Sequence, residues 1–192
     1  MASQIQALKD QENLVRRTLD TVMECASTQR PFMYILDTGG FIDLYKYHPA
    51  LIPNSMIHAE CVTTQAVFNE LHLRKNHKII NQVYQLEANR DFFTPHIEIV
   101  GVTPTQRCID MFRYGLKKGS FNGNRRLGEA DMSILALADE MKEHIYPVIV
   151  SPDSDIPRVL NGIRTQMIGY LPAPQFINLY AALYEKTPRS GF

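Results

Sequence analysis

Short apolar runs alternate along this chain with longer segments of helical periodicity, and this alternation constrains the fold more than any other feature. The runs that predict strands lie at residues 34–36, 60–62, 97–102, 146–150 and 166–170. The segments that predict helices lie at residues 3–27, 64–88, 103–118, 129–143, 151–162 and 174–185. Strands that alternate with helices form parallel sheets through right-handed crossovers. We therefore expect an α/β fold, a three-layer α/β/α sandwich around a central, mainly parallel sheet.

Two element boundaries carry specific signals. A loop with prolines at 49 and 53 is predicted after the first strand, and Gly39-Gly40 would let the backbone turn sharply at its start. The sequence Thr103-Pro104-Thr105-Gln106 resembles a capping box with proline at the first helical position, so a helix is predicted to start there. Residues 119–126 are predicted to form a loop.

The chain is predicted to hold one main domain with an added element at its N-terminus. We assign residues 1–30 to an amphipathic N-terminal helix, 31–186 to the main domain and 187–192 to a flexible tail. The helix would pack on the domain or, alternatively, serve a homodimer or a protein partner. Its candidate apolar stripe consists of Ile5, Leu8, Val15, Leu19, Val22, Met23 and Ala26.

Composition excludes several classes of protein. The 192 residues include 20 basic and 20 acidic side chains, so contact with a nucleic acid would need a local basic patch. The three cysteines form no CxxC pair, which argues against a zinc ribbon or a disulfide framework and fits a reducing compartment. The N-terminus is polar, and no segment has the length of a membrane span. We expect a soluble intracellular protein without membrane contact, cytoplasmic or, in a eukaryote, nuclear.

Acidic residues recur at the ends of the predicted elements. Asp37 ends the first strand, Glu70 lies early in the helix 64–88, Asp131 opens a helix, and Asp153 follows the strand 146–150. Each has a plain structural explanation as a helix cap, turn residue or solvated side chain. In an open α/β sheet, however, ligands gather beyond the carboxyl ends of the strands, so these acids should converge on one edge.

A convergent group of carboxylates predicts a bound cation. Two ionised carboxylates about 5 Å apart repel each other by roughly 3 kcal/mol at an effective dielectric near 20. The matching ion is Mg²⁺ or Mn²⁺, which prefers oxygen ligands and accepts substrate phosphate. Such a site can orient water for attack on a phosphodiester. Asp155 and Glu129 are candidates for an additional ligand.

Four motifs in order resemble those of the PIN-domain nucleases. They are YILDTGGFID, AVFNEL, LGEADMSILALA and VIVSPDSDI, and the resemblance spans about residues 33–172. It is closest to the ribosome-maturation branch, which processes RNA, although the zinc ribbon of that branch does not follow here. The chain departs from the family pattern at Gly128 and at Ser151-Pro152. The resemblance implies a metal-dependent endoribonuclease with Asp37, Glu70, Asp131 and Asp153 as catalytic metal ligands.

A local excess of basic residues precedes Asp131 and predicts contact with single-stranded RNA, whose bases are accessible. Phe121 could stack on an unpaired base, and the hydroxyls of Thr38 and Ser151 lie beside the acids. A second basic run spans residues 74–78. The predicted RNA-binding residues are Thr38, Arg113, Lys117, Lys118, Phe121, Arg125, Arg126 and Ser151.

Four alternatives to an RNA-processing nuclease remain open. A non-catalytic PIN-like scaffold would bind RNA or protein without cleaving, and a toxin of a toxin–antitoxin pair would cleave RNA but is generally shorter. An aspartic protease would share the sequence Asp37-Thr38-Gly39, but such proteases are all-β and carry serine or alanine where this chain has Gly40. A phosphotransferase with Asp37 as nucleophile would usually carry a second aspartate at position 39.

Overall fold

Short segments of three to five residues, most of them apolar, form the strands of a single parallel sheet. The computed structural model describes residues 2–47, 61–73, 97–119 and 126–185. Within these ranges the sheet has five strands in the order β3-β2-β1-β4-β5. The strands are β1 Phe32–Leu36, β2 Cys61–Thr64, β3 Ile97–Val100, β4 Tyr146–Val150 and β5 Gly169–Leu171.

Helices cover both faces of this sheet, which confirms the expected three-layer α/β/α fold. The helix α5 packs across β2, β1 and β4, and its residues 132–138 are all buried. A helix that is apolar all round has protein on every side. The described helices are α1 Ala2–Thr28, α2 Thr38–Tyr47, α3 Gln65–Leu73, α4 Gln106–Gly119, α5 Glu129–Met141, α6 Asp155–Gly162 and α7 Ala173–Tyr180, which a π-helical turn, Ala181–Glu185, continues.

The strand order reverses between β1 and β4. From β1 the chain adds β2 and β3 on one side, and then crosses back to add β4 and β5 on the other. The strands β1 and β4 end together, since Leu36 pairs with Val150. The segments that follow the two strands therefore separate at a topological switch point, the place where open α/β sheets form their ligand crevice.

The core of the molecule includes the second half of α1. Leu14, Thr18, Val22 and Cys25 are all buried, and the helix contacts β5 and α6. The Thr18 hydroxyl donates a hydrogen bond to the Leu14 carbonyl at 2.8 Å and accepts one from the Tyr170 amide at 3.1 Å, so this polar residue is satisfied inside the core.

The apolar stripe predicted for the first helix is partly wrong. Ile5 and Leu8 are 52% and 61% exposed, and Met23 and Ala26 are exposed as well. The buried stripe instead uses the four-residue and three-residue steps that begin at Leu14. The sheet covers only the second half of the helix, so the apolar residues of the first half have no core to enter.

The loop predicted directly after the first strand is wrong, because α2 begins at once at Thr38. Asp37 acts as the N-cap: its carbonyl accepts a hydrogen bond from Phe41 at 3.0 Å, and its carboxylate accepts one from the Gly40 amide. Phe41 and Leu44 then bury the apolar side of the helix. Both prolines of the predicted loop, at positions 49 and 53, lie outside the described residues.

The two glycines of α2 allow close packing and do not serve a left-handed turn, since no described glycine has a positive φ. A Cβ atom at Gly39 would lie 2.6 Å from Cγ of Pro152. A Cβ atom at Gly40 would overlap the carbonyl oxygen of Val150. The start of α2 can therefore lie directly against the end of β4 only because these side chains are missing.

The start of α4 also differs from the prediction. The helix begins at Gln106, and Thr105 caps it by accepting a hydrogen bond from the Cys108 amide at 3.2 Å. Pro104 therefore precedes the helix instead of occupying its first turn, and Thr103 is not the cap.

The crossing of α4 and α6 depends on a pair of glycines. A Cβ atom built at Gly162 would overlap the backbone of Gly115, and one built at Gly115 would lie 2.7 Å from both Val159 O and a methyl carbon of Ile163. The two helix backbones are therefore in direct contact at this point. Among the described helices, none is long and apolar enough to cross a lipid bilayer.

Candidate functional site

A cleft of about 700 Å³ opens at the carboxyl edge of the sheet, at the switch point between β1 and β4. It is formed by the start of α2, by α3, by the start of α5 and by the segment that follows β4. The cleft brings together all four acids predicted from the sequence. Its lining residues are Asp37, Thr38, Gly39, Ile42, Ala66, Asn69, Glu70, Gly128, Glu129, Ala130, Asp131, Pro152 and Asp153.

Asp37 lies at the bottom of the cleft and is only 5% exposed. One carboxylate oxygen accepts the hydrogen bond from the Gly40 amide, and the other accepts one from the Ser151 hydroxyl. Burial raises the pKa of Asp37 from its ordinary value of 3.8 to about 7. The two hydrogen bonds oppose this rise, whereas the nearby carboxylates of Asp131 and Asp153 add to it.

Glu70 is oriented by a neighbour from another helix. The Thr38 hydroxyl donates a hydrogen bond to its Oε2 atom at 2.7 Å. Thr38 directly follows Asp37. The first turn of α2 therefore orients Glu70 through Thr38 and is itself capped by Asp37. This contact ties α3 to the end of β1 across 32 residues of sequence.

Asp131 is the third residue of α5, and its Oδ2 atom accepts a hydrogen bond from the Gly128 amide at 3.0 Å. This is the acidic half of a capping box, which holds the side chain over the start of the helix. Burial raises the pKa of Asp131, and the charges of Asp153, Glu70 and Asp155 act in the same direction. Like charges near Asp131 therefore disfavour its ionised form.

Asp153 follows β4 in a tight turn. Its amide donates a hydrogen bond to the Ser151 hydroxyl at 2.9 Å, and its Oδ1 atom accepts one from the Asp155 amide at 2.8 Å. Ser151 thus contacts both Asp37 and the backbone of Asp153. It couples two of the acids to the end of a single strand.

The two candidates for an additional ligand differ in placement. Asp155 does not line the cleft, and its Oδ1 atom accepts a hydrogen bond from Arg158 at 2.8 Å in an ion pair within α6. Glu129 does line the cleft, at the first residue of α5. Of the two, Glu129 therefore has the position that the candidate site requires, whereas Asp155 lies near the site without lining the cleft.

The donors in the cleft suit a hard cation. Its lining includes five carboxylates and the Thr38 hydroxyl but no histidine or cysteine. In the part of the chain that the structure describes, no three Asp, Glu, His or Cys side chains already form a closed set of metal ligands. The four acids share the cleft at wider spacing, and a cation between them would relieve the repulsion and lower the raised pKa of Asp37.

Seven of the eight predicted RNA-binding residues fall into three groups. Thr38 lines the cleft, as expected for a residue beside the site. Arg113, Lys117 and Lys118 are exposed on α4, and Arg126 is exposed two residues before Gly128, but none of them lines the cleft. Phe121, Arg125 and the basic run at 74–78 lie outside the described residues.

The RNA contact predicted for Ser151 is wrong in this structure. Its side chain is completely buried, and its hydroxyl is engaged by Asp37 and by the amide of Asp153. A buried residue at the base of the cleft cannot reach a backbone phosphate. Ser151 therefore positions an acid instead of touching a substrate.

Sequence reasoning missed Asn69 as a lining residue of the cleft. Its side chain accepts a hydrogen bond from Gln65 at 2.9 Å, one helical turn earlier. The only available signal was its position next to Glu70, which does not by itself distinguish an inward from an outward side chain. No family model matches this chain, and comparison with curated proteins gives no matching sequence.

Proposed function

We propose that this protein is a metal-dependent endoribonuclease of the PIN-domain type, which hydrolyses phosphodiester bonds in single-stranded RNA. One observation carries the proposal: four acids from four separate segments of the chain line a single cleft at the switch point of a parallel sheet. The order of the motifs that hold these acids is the order expected from the resemblance to that family.

Asp37, Glu70, Asp131 and Asp153 are the residues that would hold Mg²⁺ or Mn²⁺. Such an ion supplies Lewis acidity, which neutralises phosphate charge and stabilises the negative charge that develops during hydrolysis. The protein's own part is to orient these acids. Ser151 and Gly40 hold Asp37, and Thr38 holds Glu70.

The same arrangement determines how the cleft would treat a substrate. Without a cation, ionised acids would repel a phosphate, so RNA and metal should bind with positive coupling. An unpaired strand, whose bases can be splayed apart, is the substrate that we expect at this cleft. The basic residues of α4 and Arg126 would contact flanking nucleotides.

Cleavage of an unstructured, 5′-labelled RNA tests the proposal. The wild-type protein should cleave with Mn²⁺ or Mg²⁺ and not with EDTA. Asp37→Asn and Asp131→Asn should each reduce the single-turnover rate by about 100-fold or more, a loss comparable to removing one charge-stabilising group from an active site. Asp20→Asn, an exposed acid on α1, is the matched control and should cleave normally.

Mn²⁺ binding measured by calorimetry gives a second readout that does not depend on activity. The two site variants should bind the ion more weakly than wild type, whereas Asp20→Asn should not. Cleavage in EDTA, or cleavage that survives in both site variants, would contradict the proposal.

A second candidate is a PIN-like scaffold that binds RNA without cleaving it. The favourable observation is that both carboxylate oxygens of Asp37 already accept hydrogen bonds from the protein, so this acid also has a structural role as a helix cap. A scaffold would bind the labelled RNA equally well with Mn²⁺ or EDTA and would leave it intact. Measurement of binding and cleavage on the same RNA separates the two candidates.

A further inference from the structure

The helix α4 has two faces of opposite character. Its inner face packs against α6 and α5 and buries Cys108, Phe112 and Leu116. Its outer face carries four exposed cations, Arg107, Arg113, Lys117 and Lys118, which we call the basic face. The only acid exposed on this helix, Asp110, accepts a hydrogen bond from the Gln106 side chain at 2.9 Å.

This separation of charge distinguishes α4 from α1. The chain as a whole carries equal numbers of acidic and basic residues. The exposed face of α1, the longest described helix, mixes both signs and includes Lys9, Glu12, Arg16, Asp20 and Glu24. A surface of mixed charge is sufficient to keep a helix solvated. The excess of positive charge on α4 therefore suits an anionic partner.

An exposed aromatic ring lies within the basic face. Tyr114 is 56% exposed, and Nζ of Lys118 lies 5.5 Å from the centre of its ring. A cation over one face of the ring is a favourable contact in itself. The combination of an exposed ring with surrounding cations is also the pattern by which proteins bind single strands, since bases stack on the ring while cations follow the backbone.

We propose that the basic face, together with Tyr114, is a binding surface for single-stranded RNA that is separate from the acidic cleft. This proposal rests on the proposed ribonuclease function and adds to it an anchoring site for the substrate. None of the five side chains lines the cleft, so the surface binds the strand without taking part in hydrolysis. From Arg107 to Lys118 it extends about 16 Å along the helix.

The charge on this surface predicts its salt dependence. If all four cations contact phosphates, the logarithm of the association constant falls with the logarithm of salt concentration with a slope of about −3. Removal of Lys117 and Lys118 should reduce the slope by about 1.4. When salt is lowered from 1 M to 0.1 M, the RNA affinity of the double variant should therefore rise about 25-fold less than that of the parent protein.

Removal of the ring should act differently. Stacking does not depend on salt, so Tyr114→Leu should weaken binding between about fivefold and 150-fold while leaving the slope unchanged. Tyr114→Phe keeps the ring and should bind like the parent protein. A fully paired RNA offers no free base, so its affinity should not respond to Tyr114→Leu.

The experiment measures fluorescence anisotropy of a labelled, unstructured RNA at several NaCl concentrations, in EDTA and in the Asp37→Asn background, so that the RNA stays intact. The variants are Lys117→Ala/Lys118→Ala and Tyr114→Leu. The matched control is Lys9→Ala/Arg16→Ala, which removes two exposed cations from α1. Circular dichroism establishes that each variant is folded.

The proposal is supported if the salt-dependence slope is reduced only in the Lys117→Ala/Lys118→Ala variant. It also requires that Tyr114→Leu weaken RNA binding by the same factor at every salt concentration. Equal slopes in all proteins, or an equal reduction in the α1 control, would overturn it. An equal effect of Tyr114→Leu on paired RNA would overturn the stacking contact. Failure of metal-dependent cleavage with binding intact would overturn the proposed ribonuclease and leave this surface supported, so the two failures are distinguishable.

Discussion

Asp37→Asn should stabilise the metal-free protein at alkaline pH, although it removes a residue proposed for catalysis. Burial raises the pKa of Asp37 from 3.8 to about 7. Each pKa unit corresponds to about 1.4 kcal/mol, so keeping this side chain ionised in the fold costs about 4 kcal/mol. Asparagine caps a helix as well as aspartate does, so α2 keeps its cap. The hydrogen bond with Ser151 becomes a neutral one, with a loss of about 1 kcal/mol.

The sign of the pH dependence follows from proton binding. Below about pH 4 the carboxyl is protonated in both the folded and the unfolded state, and burial of its charge costs nothing. Between about pH 4 and pH 7 the folded state binds more protons, so the free energy of unfolding of the wild type falls as pH rises. Above pH 7 this contribution is constant. The variant should therefore be less stable by about 1 kcal/mol at pH 4 and more stable by about 3 kcal/mol at pH 8.

Urea denaturation in EDTA, followed by circular dichroism at half-unit steps from pH 4 to pH 8, measures this difference. The control Asp20→Asn replaces an exposed acid and should stay within about 0.5 kcal/mol of the wild type at every pH. Saturating Mn²⁺ at pH 8 should stabilise the wild type more than the variant. A difference between variant and wild type that does not change with pH would refute the reasoning.

Three further predictions concern packing and orientation. Gly162→Ala should destabilise the protein by about 3 kcal/mol in urea denaturation, because the new methyl group overlaps the backbone of α4. Its control is Gly101→Ala, where the new methyl group would meet no atom within 4 Å and stability should change by less than about 1 kcal/mol. Ser133→Ala removes a partner of the buried Thr64 hydroxyl, 2.6 Å away, and should cost about 2 kcal/mol; Thr64→Val should not restore this loss, because Thr64 also accepts a hydrogen bond from the Val67 amide at 3.3 Å. Thr38→Val should lower the single-turnover cleavage rate about tenfold, or about 1.4 kcal/mol, with Thr38→Ser retaining it.

The sequence predicts the position of each strand more reliably than its limits. The strand β4 coincides with its predicted range 146–150, whereas β2 and β5, whose residues are also all buried, begin one and three residues later than predicted. The helix α2 was missed because its first turn contains two glycines, which are poor helix formers. Its stability comes from the cap at Asp37 and from the burial of Phe41 and Leu44, and neither is visible in local propensity.

The acids of the cleft were predictable, and their orientation was not. The type of residue and its position at the end of an element are local properties of the sequence. The hydrogen bond from Ser151 to Asp37 joins residues 114 positions apart and depends on which strands are neighbours. Asp155 and Glu129 are likewise distinguished by the fold, because only Glu129 lines the cleft.

The contact between Gly39 and Pro152 joins the two strand-end motifs into one steric unit. A side chain at position 39 would occupy the space of the proline ring, at 2.6 Å from its Cγ atom. Relatives of this chain should therefore vary at the two positions together, with a larger residue at 39 only where the proline is replaced. Grafting either motif alone into a related scaffold would displace the start of α2 and move Asp37 with it, so the pair has to be exchanged as a unit.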